Sequence, residues 1–194
     1  MEIRPGTRAD ALAIATVHVR SWKAAYRGLL PQPYLDALEP GLRLGQWETF
    51  LDATAWPATG ALVLADRSSP DDTDAHTGSE RANGSPSETG GVCGFAGMSP
   101  TRDGDEDPTS VGELQTLYLE PRIWGCGAGS LLLTAVEDQF RSAGFRSASA
   151  WVLETNARAR RFYERHGWRG DGTTKLHDWD AFVATDVRYR VPLA

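Results

Sequence analysis

Three glycines, Gly125, Gly127 and Gly129, alternate directly before a run of residues typical of a helix. The first turn of a helix has backbone N–H groups without partners and carries the positive end of the helix dipole. Glycines let a ligand approach those N–H groups without interference from a β-carbon. The pattern therefore favours an anion site, above all for phosphate. A glycine-rich helix start without a ligand is the alternative.

This loop matches neither of two common phosphate-binding motifs. A Walker A loop needs Gly-Lys followed by Ser or Thr, but Gly129 is followed by Ser130 and Leu131. A dinucleotide-binding GxGxxG pattern needs a third glycine, and Ser130 or Leu132 stands at its two possible positions. We therefore expect a phosphate ligand of another kind.

Three further side chains could take part in chemistry near the loop. Asn156 and Tyr163 lie seven residues apart in a predicted helix, so they share one face. Glu113 lies in a predicted strand, where strict alternation places it on one face with Gln115 and Leu117. Tyr163 could instead be an aromatic core residue, and Glu113 a solvated carboxylate at a strand end.

The elements around these residues follow an order that predicts a mixed α/β sheet. Helices are predicted over about 7–26, 33–40, 42–53, 129–144 and 156–167. Strands are predicted over about 1–6, 61–66, 91–100, 112–121, 145–154, 173–179 and 186–193. Residues 67–90 contain no large apolar side chain, which predicts a flexible polar insertion between two strands. Residues 101–110 are predicted to form a second, acidic turn region.

Composition narrows the class of protein. The net charge of -6 argues against a nucleic-acid partner, which needs a basic surface. The two cysteines, Cys93 and Cys126, have no CxxC spacing, and the histidines have no HxH or HxxxH spacing, so neither a disulfide framework nor a metal site is predicted. The N-terminus lacks the apolar stretch of a signal peptide, and no run is long enough to span a membrane. We expect a cytoplasmic protein that does not bind membranes.

The second half resembles the GCN5-related N-acetyltransferase (GNAT) superfamily in two stretches, LYLEPRIWGCGAGSLLL and ETNARARRFYERHGWR. The likeness extends from IRPGTRADALAIATVHVRSWKAAYRGLLP near the start to RYRVPL at the end, with 67–90 as the one large departure. It implies a single N-acetyltransferase domain over 1–194. Its mixed, mostly antiparallel twisted sheet would splay between two central parallel strands and be flanked by helices.

The same resemblance implies acetyl-CoA as the acetyl donor and coenzyme A as a product. In the register of the family's pyrophosphate loop, Q/R-x-x-G-x-G/A, Gly127 and Gly129 are the two glycines and Trp124 replaces Gln or Arg. An indole offers phosphate no charged or amide donor, so backbone N–H groups would hold the pyrophosphate, helped by Arg122. The expected cofactor-binding residues are Leu117, Tyr118, Leu119, Trp124, Gly125, Cys126, Gly127, Ala128, Gly129, Ser130, Asn156, Phe162 and Tyr163.

Catalytic roles also follow from the resemblance. The strand segment 116–119 would pair with the pantetheine arm, and the Leu119 N–H would polarise the thioester carbonyl. Tyr163 would lie near the sulfur and protonate the leaving thiolate as general acid. Glu113 is the candidate base that deprotonates the acceptor, because an ammonium has no lone pair for attack.

The acceptor is expected to be a primary amine of a small molecule or peptide, acetylated by direct transfer in a ternary complex. Trp22, Tyr26 and Trp179 are candidate walls of its site, and Asp178 and Asp180 could attract a cation. A homodimer is possible. The sequence leaves open two alternatives, a catalytically weak acyl-CoA-binding sensor and an acyltransferase that uses another acyl-CoA.

Overall fold

The structure of the chain, a computed structural model, describes residues 1–66, 91–178 and 182–193. The predicted insertion at 67–90 lies outside the described residues, and so do Trp179 and Asp180. Their predicted roles therefore stay predictions.

The described helices and strands agree closely in position with those predicted. The helices are α1 (Ala11–Ala25), α2 (Gln32–Asp36), α3 (Pro40–Asp52), α4 (Ala128–Ser142) and α5 (Ala157–Arg165). The strands are β1 (Glu2–Pro5), β2 (Gly60–Ala65), β3 (Val92–Pro100), β4 (Val111–Leu119), β5 (Ser147–Leu153), β6 (Arg169–Asp178) and β7 (Val183–Pro192).

The seven strands form one sheet in the order β1-β2-β3-β4-β5-β7-β6. Every neighbouring pair is antiparallel except β4 and β5, which run parallel at the centre of the sheet. Helices pack on both faces, with α4 and α5 on one side and α1 and α3 on the other. The predicted fold class is thus confirmed.

Buried strands in the middle of the sheet explain this layering. In β2, Leu62 and Leu64 pack on the side of α4, whereas Ala61 and Val63 pack on the side of α1. A strand buried on both faces needs apolar residues at consecutive positions, as β2 has. No helix among the described residues is long and apolar enough to span a membrane.

The parallel strands separate halfway along their length. Pairing of β4 with β5 runs from Val111 opposite Ser147 to Leu114 opposite Ala150 and goes no further. The register of β4 with β3 also shifts there, which leaves Gln115 as an extra residue, a β-bulge. The expectation that Glu113 shares a face with Leu117 is therefore wrong, because strict alternation fails across a bulge. Leu117 packs with Leu114 on the side of α4.

The acidic segment 101–110 is a tethered loop in the structure. Arg188 of β7, only 5% exposed, donates two hydrogen bonds to Asp105 at 2.8 and 2.9 Å and one to Asp171 at 2.7 Å. The indole N–H of Trp151 donates to Asp103 at 3.0 Å. These charge-assisted bonds fix the loop against the end of the sheet, beside the separation of β4 and β5.

Candidate active site

Two cavities meet where β4 and β5 separate. The loop-side cavity, about 170 Å³, extends from the strands to the starts of α4 and α5. The hairpin-side cavity, about 140 Å³, extends from the strands to α1 and the β6–β7 hairpin. Both cavities are bordered by Tyr26, Leu114, Gln115, Tyr118, Trp151 and Leu153. The two cavities therefore adjoin along this shared border.

The residues predicted to hold a cofactor fall into two adjoining groups. One group lines the loop-side cavity and consists of Leu117, Tyr118, Leu119, Trp124, Gly129, Asn156, Phe162 and Tyr163. The other forms the loop and first turn beside that cavity and consists of Gly125, Cys126, Gly127, Ala128 and Ser130. The structure thus brings the predicted set together, while the roles of its members stay predictions.

Glycine is needed at the three alternating positions for different structural reasons. Gly125 and Gly127 have positive φ angles of 81° and 87°, a backbone conformation that favours glycine. At Gly129 a β-carbon would lie 3.3 Å from both Leu119 and Phe162, so this glycine lets α4 pack closely on β4 and α5. The first hydrogen bond inside α4 joins the Leu131 N–H to the Gly127 carbonyl at 3.1 Å. The preceding N–H groups of the turn have no partner within the helix, as phosphate binding requires.

Ser130 can offer this turn its backbone N–H but not its hydroxyl proton. His166 Nδ1 lies 2.7 Å from the Phe162 carbonyl, which can only accept, so Nδ1 carries the ring proton. In the neutral ring, His166 Nε2, which lies 2.8 Å from the Ser130 hydroxyl, is then the acceptor of the Ser130 proton. The bond also ties the end of α5 to the start of α4.

Trp124 organises the edge of β4 that faces the loop-side cavity. Its indole N–H donates to the Leu119 carbonyl at 3.0 Å. The next N–H, of Glu120, points the opposite way and bonds to Cys93 of β3 at 2.8 Å. Because successive N–H groups of a strand alternate in direction, the Leu119 N–H points toward the separated β5. The edge of β4 thus presents the Leu119 N–H as a donor, while the Leu119 carbonyl beside it is already bonded to Trp124.

Arg158 supplies a positive charge that the sequence analysis did not assign. Its guanidinium lies over the Trp124 ring, 3.7 Å from the ring centre, and lines the loop-side cavity. Burial lowers the pKa of Arg158 from its usual value. Among the described residues no carboxylate pairs with it. Arg122, which we expected to help bind phosphate, lines a different cavity together with Arg20, Lys23 and Arg27.

Tyr163 lies in the wall of the loop-side cavity, 8% exposed. Burial raises its pKa well above the usual value, and Tyr118 raises it further. Its hydroxyl therefore keeps its proton at neutral pH. In the part of the chain that the structure describes, no group hydrogen-bonds to this hydroxyl, which leaves the proton available to a bound molecule.

Glu113 lines the hairpin-side cavity but is tightly paired. Arg102 donates to both of its oxygens, from Nη2 to Oε1 at 2.7 Å and from Nε to Oε2 at 3.1 Å. The backbone N–H of Arg102 also reaches Oε2 at 3.2 Å. A base needs a free lone pair directed at the acceptor, and this bidentate contact occupies both oxygens.

The hairpin-side cavity contains a second titratable pair, formed by His177 of β6 and Asp186 of β7. His177 Nδ1 and Asp186 Oδ2 lie 3.2 Å apart. When Nδ1 carries the proton toward the carboxylate, Nε2 has the lone pair. Trp22 and Tyr26, the predicted acceptor walls within the described residues, line the same cavity.

Sequence reasoning missed several residues of these cavities, among them the charged residues Arg158, Lys175 and Asp186. Lys175 lines the hairpin-side cavity with its ammonium 3.9 Å from the centre of the Trp151 ring. The alternation of β6 could have indicated Lys175, because Lys175 and His177 are two residues apart on one face of a predicted strand. Arg158 could have been found only as a basic residue in the first turn after the Asn156 cap.

Comparison with known proteins agrees with this geometry. The model of the acetyltransferase (GNAT) family matches residues 47–168. The chain is 29% identical over 154 residues to the uncharacterized N-acetyltransferase YuaI of Bacillus subtilis, which covers 79% of this chain and 72% of YuaI. Over 65 residues it is 37% identical to the mycothiol acetyltransferase of Geodermatophilus obscurus, 34% of this chain and 21% of that protein.

Solved structures resemble the whole described fold. The PaiA N-acetyltransferase of Thermoplasma acidophilum, in complex with coenzyme A, matches with a TM-score of 0.67 and 17% identity over 98% of both chains. YncA of Salmonella typhimurium, with its cofactor acetyl-CoA, matches with a TM-score of 0.63 and 20% identity over 100% of this chain and 94% of YncA. Together with the family match over more than half of the sequence, these likenesses lead to one conclusion. The chain belongs to the acetyltransferase (GNAT) family.

Proposed function

We propose that this chain transfers the acetyl group of acetyl-CoA to a primary amine of a small molecule by direct transfer in a ternary complex. One observation carries the proposal: Tyr163, the free edge of β4 and the start of α4 border one cavity that shares six lining residues with a second cavity. The proposed arrangement assigns a binding position to each part of acetyl-CoA and to the acceptor amine.

Acetyl-CoA supplies a thioester whose carbonyl is open to attack by an amine. Its pyrophosphate accepts hydrogen bonds from the N–H groups between Gly125 and Ser130, and Arg158 adds positive charge from the cavity wall. The pantetheine arm pairs with the edge of β4 that β5 leaves free after Leu114. The Leu119 N–H donates to the thioester oxygen as negative charge develops there.

Tyr163 donates its proton to the sulfur as the C–S bond breaks. The hydroxyl is protonated throughout the neutral range, and because burial raises its pKa and weakens it as an acid, its proton passes to the sulfur only as negative charge develops there. The base that removes the acceptor's proton comes from the hairpin-side cavity. Glu113 stays the prediction from sequence, and His177 with Asp186 is the second candidate, favoured because Arg102 occupies both Glu113 oxygens.

Two measurements test this function. Acetyl-CoA and coenzyme A should raise the melting temperature of the purified protein, and a panel of primary amines should give thiol release with acetyl-CoA. Tyr163→Phe should lower kcat by about 100-fold and change the Kd of coenzyme A far less. Tyr189→Phe is the matched control, because that hydroxyl is bonded to Glu164 at 2.8 Å and lines neither cavity.

The outcomes separate the alternatives. Binding of acetyl-CoA without turnover of any amine would favour the sensor, and faster turnover of a longer acyl-CoA would favour a different acyl donor. Full activity of Tyr163→Phe would remove Tyr163 as the general acid.

A further inference from the structure

We infer that the acceptor is a small amino carboxylate, whose carboxylate is bound by Lys175 at the Trp151 ring while its amine faces the shared border of the two cavities. This inference rests on the proposed function and specifies its substrate class. It also narrows the expectation that the acceptor is a primary amine of a small molecule or peptide.

The Lys175 ammonium is held in the hairpin-side cavity by an aromatic ring. It lies 3.9 Å from the centre of the Trp151 ring, a distance typical of a cation–π contact. Trp151 is itself fixed by the bond from its indole N–H to Asp103 at 3.0 Å. The ammonium is therefore positioned before any ligand arrives, and a ring face leaves its N–H donors available for an anion.

The carboxylates near Lys175 are all engaged by other donors. The strand register places Lys175 opposite Asp186, but Asp186 pairs with His177. Glu113 is paired with Arg102, and Asp103 accepts from Trp151 and Arg188. Within residues 1–66, 91–178 and 182–193, no carboxylate forms an ion pair with Lys175. Burial lowers the pKa of Lys175, and Arg102 lowers it further, although Asp103, Glu113 and Asp186 act in the opposite direction; a bound anion would stabilise the charged ammonium.

The remaining charges of the cavity complement a zwitterion. Arg102 and Glu113 neutralise each other, whereas Lys175 contributes one positive charge. Asp186, although it pairs with His177, has lone pairs left to accept a hydrogen bond from an amine. A molecule with one amine and one carboxylate would therefore find a partner for each group, whereas a simple amine would leave Lys175 without an anionic partner.

The size of the cavity favours a small acceptor. The volume is about 140 Å³, below the range of sites for drug-sized ligands. Trp22, Leu30 and Leu153 form an apolar part of the wall, and most of the other lining residues are polar. A small amino acid fits this combination of charge, size and surface.

Matched substrates test the inference. Neutral α-, β- and γ-amino acids, each paired with the primary amine that remains after decarboxylation, are assayed with acetyl-CoA by thiol release. The best amino acid should have a kcat/KM about 10-fold or more above that of its matched amine. Lys175→Met, which keeps side-chain length but removes the charge, should lower kcat/KM for the amino acid about 10- to 100-fold and leave that for the amine within about twofold.

The control is the same substitution at the chain's other lysine, Lys23→Met, which lies outside both cavities and should change neither value. An equal effect of Lys175→Met on both members of a pair, or no effect, would overturn the inference while leaving acetyl transfer intact.

Calorimetric titration of the coenzyme A complex with the same pairs gives a readout independent of turnover. If no amino acid binds more tightly than its matched amine, Lys175 is not a carboxylate site. A protein that binds coenzyme A but acetylates nothing would instead contradict the proposed function.

Discussion

The indole N–H of Trp124 donates a hydrogen bond of 3.0 Å to the Leu119 carbonyl, and the same ring carries the Arg158 guanidinium on its face. Trp124, which offers phosphate no charged or amide donor, therefore has two structural functions beside the glycine loop. Its N–H is bonded to the Leu119 carbonyl at the edge of β4, and its ring positions the Arg158 guanidinium. Different substitutions of Trp124 can remove these two functions separately.

Trp124→Phe removes the N–H donor and keeps a ring face for Arg158. The Leu119 carbonyl loses its partner, so we expect a loss of about 1 kcal/mol in unfolding free energy and a small rise in the Kd of coenzyme A. Trp124→Leu also removes the ring and should raise that Kd further. Chemical denaturation and calorimetry measure both quantities. Equal Kd values for the two variants would show that the ring does not position Arg158.

Arg158→Gln should weaken coenzyme A binding about 10-fold, because it removes the positive charge that lines the loop-side cavity. The effect should vanish for S-acetylpantetheine, which lacks the phosphates. Arg161→Gln is the matched control, since Arg161 is exposed on the same helix and lines neither cavity. An equal loss for both ligands would mean that Arg158 contacts the pantetheine arm instead.

The identity of the base can be read from pH–rate profiles. If His177 deprotonates the acceptor, His177→Gln should lower kcat/KM about 100-fold and abolish the fall in rate toward acid pH. Glu113→Gln should keep the shape of the profile and lower the melting temperature, because Arg102 loses its charged partner. A flattened profile for Glu113→Gln with an unchanged one for His177→Gln would establish the sequence-based choice instead.

The elements and their order could be predicted because local signals agree with the final structure. Asn156 caps α5 by accepting the Ala159 N–H at 3.0 Å, and Gly144 and Gly167 follow α4 and α5 with positive φ angles of 85°. Residues next to these signals consequently lie in the elements in which the sequence predicted them: Tyr163 in α5, and the loop glycines at the start of α4.

Features that depend on contacts between distant segments could not be predicted. The bulge at Gln115 arises from the pairing of β4 with β3 and changes the face on which later residues lie. The pairing of Glu113 with Arg102 depends on the loop that Arg188 fixes from β7. The stacking of Lys175 on Trp151 joins β6 to β5 across β7. No local sequence pattern predicts which distant residues come into contact in this way.

His18 provides a prediction about stability. The residue is 7% exposed, and its ring stacks on Tyr118 with ring centres 5.1 Å apart and accepts the Trp47 indole N–H at Nδ1. Burial, with a smaller contribution from Arg43, lowers its pKa from 6.5 to about 3. The folded protein therefore holds this imidazole neutral at pH values at which the unfolded chain binds a proton.

The sign of the effect follows from linkage. Because the folded-state pKa is depressed, His18 costs no unfolding free energy above pH 6.5. As pH falls from 6.5 toward about 3, protonation of His18 in the unfolded chain lowers the free energy of unfolding increasingly. Between pH 6.5 and 4.5 the free energy of unfolding should fall about 2.5 kcal/mol more in the wild type than in His18→Gln, which cannot titrate but can still accept from Trp47. Urea unfolding at several pH values measures the difference. Parallel pH dependences for the two proteins would mean that His18 is protonated in the folded state at a near-normal pKa.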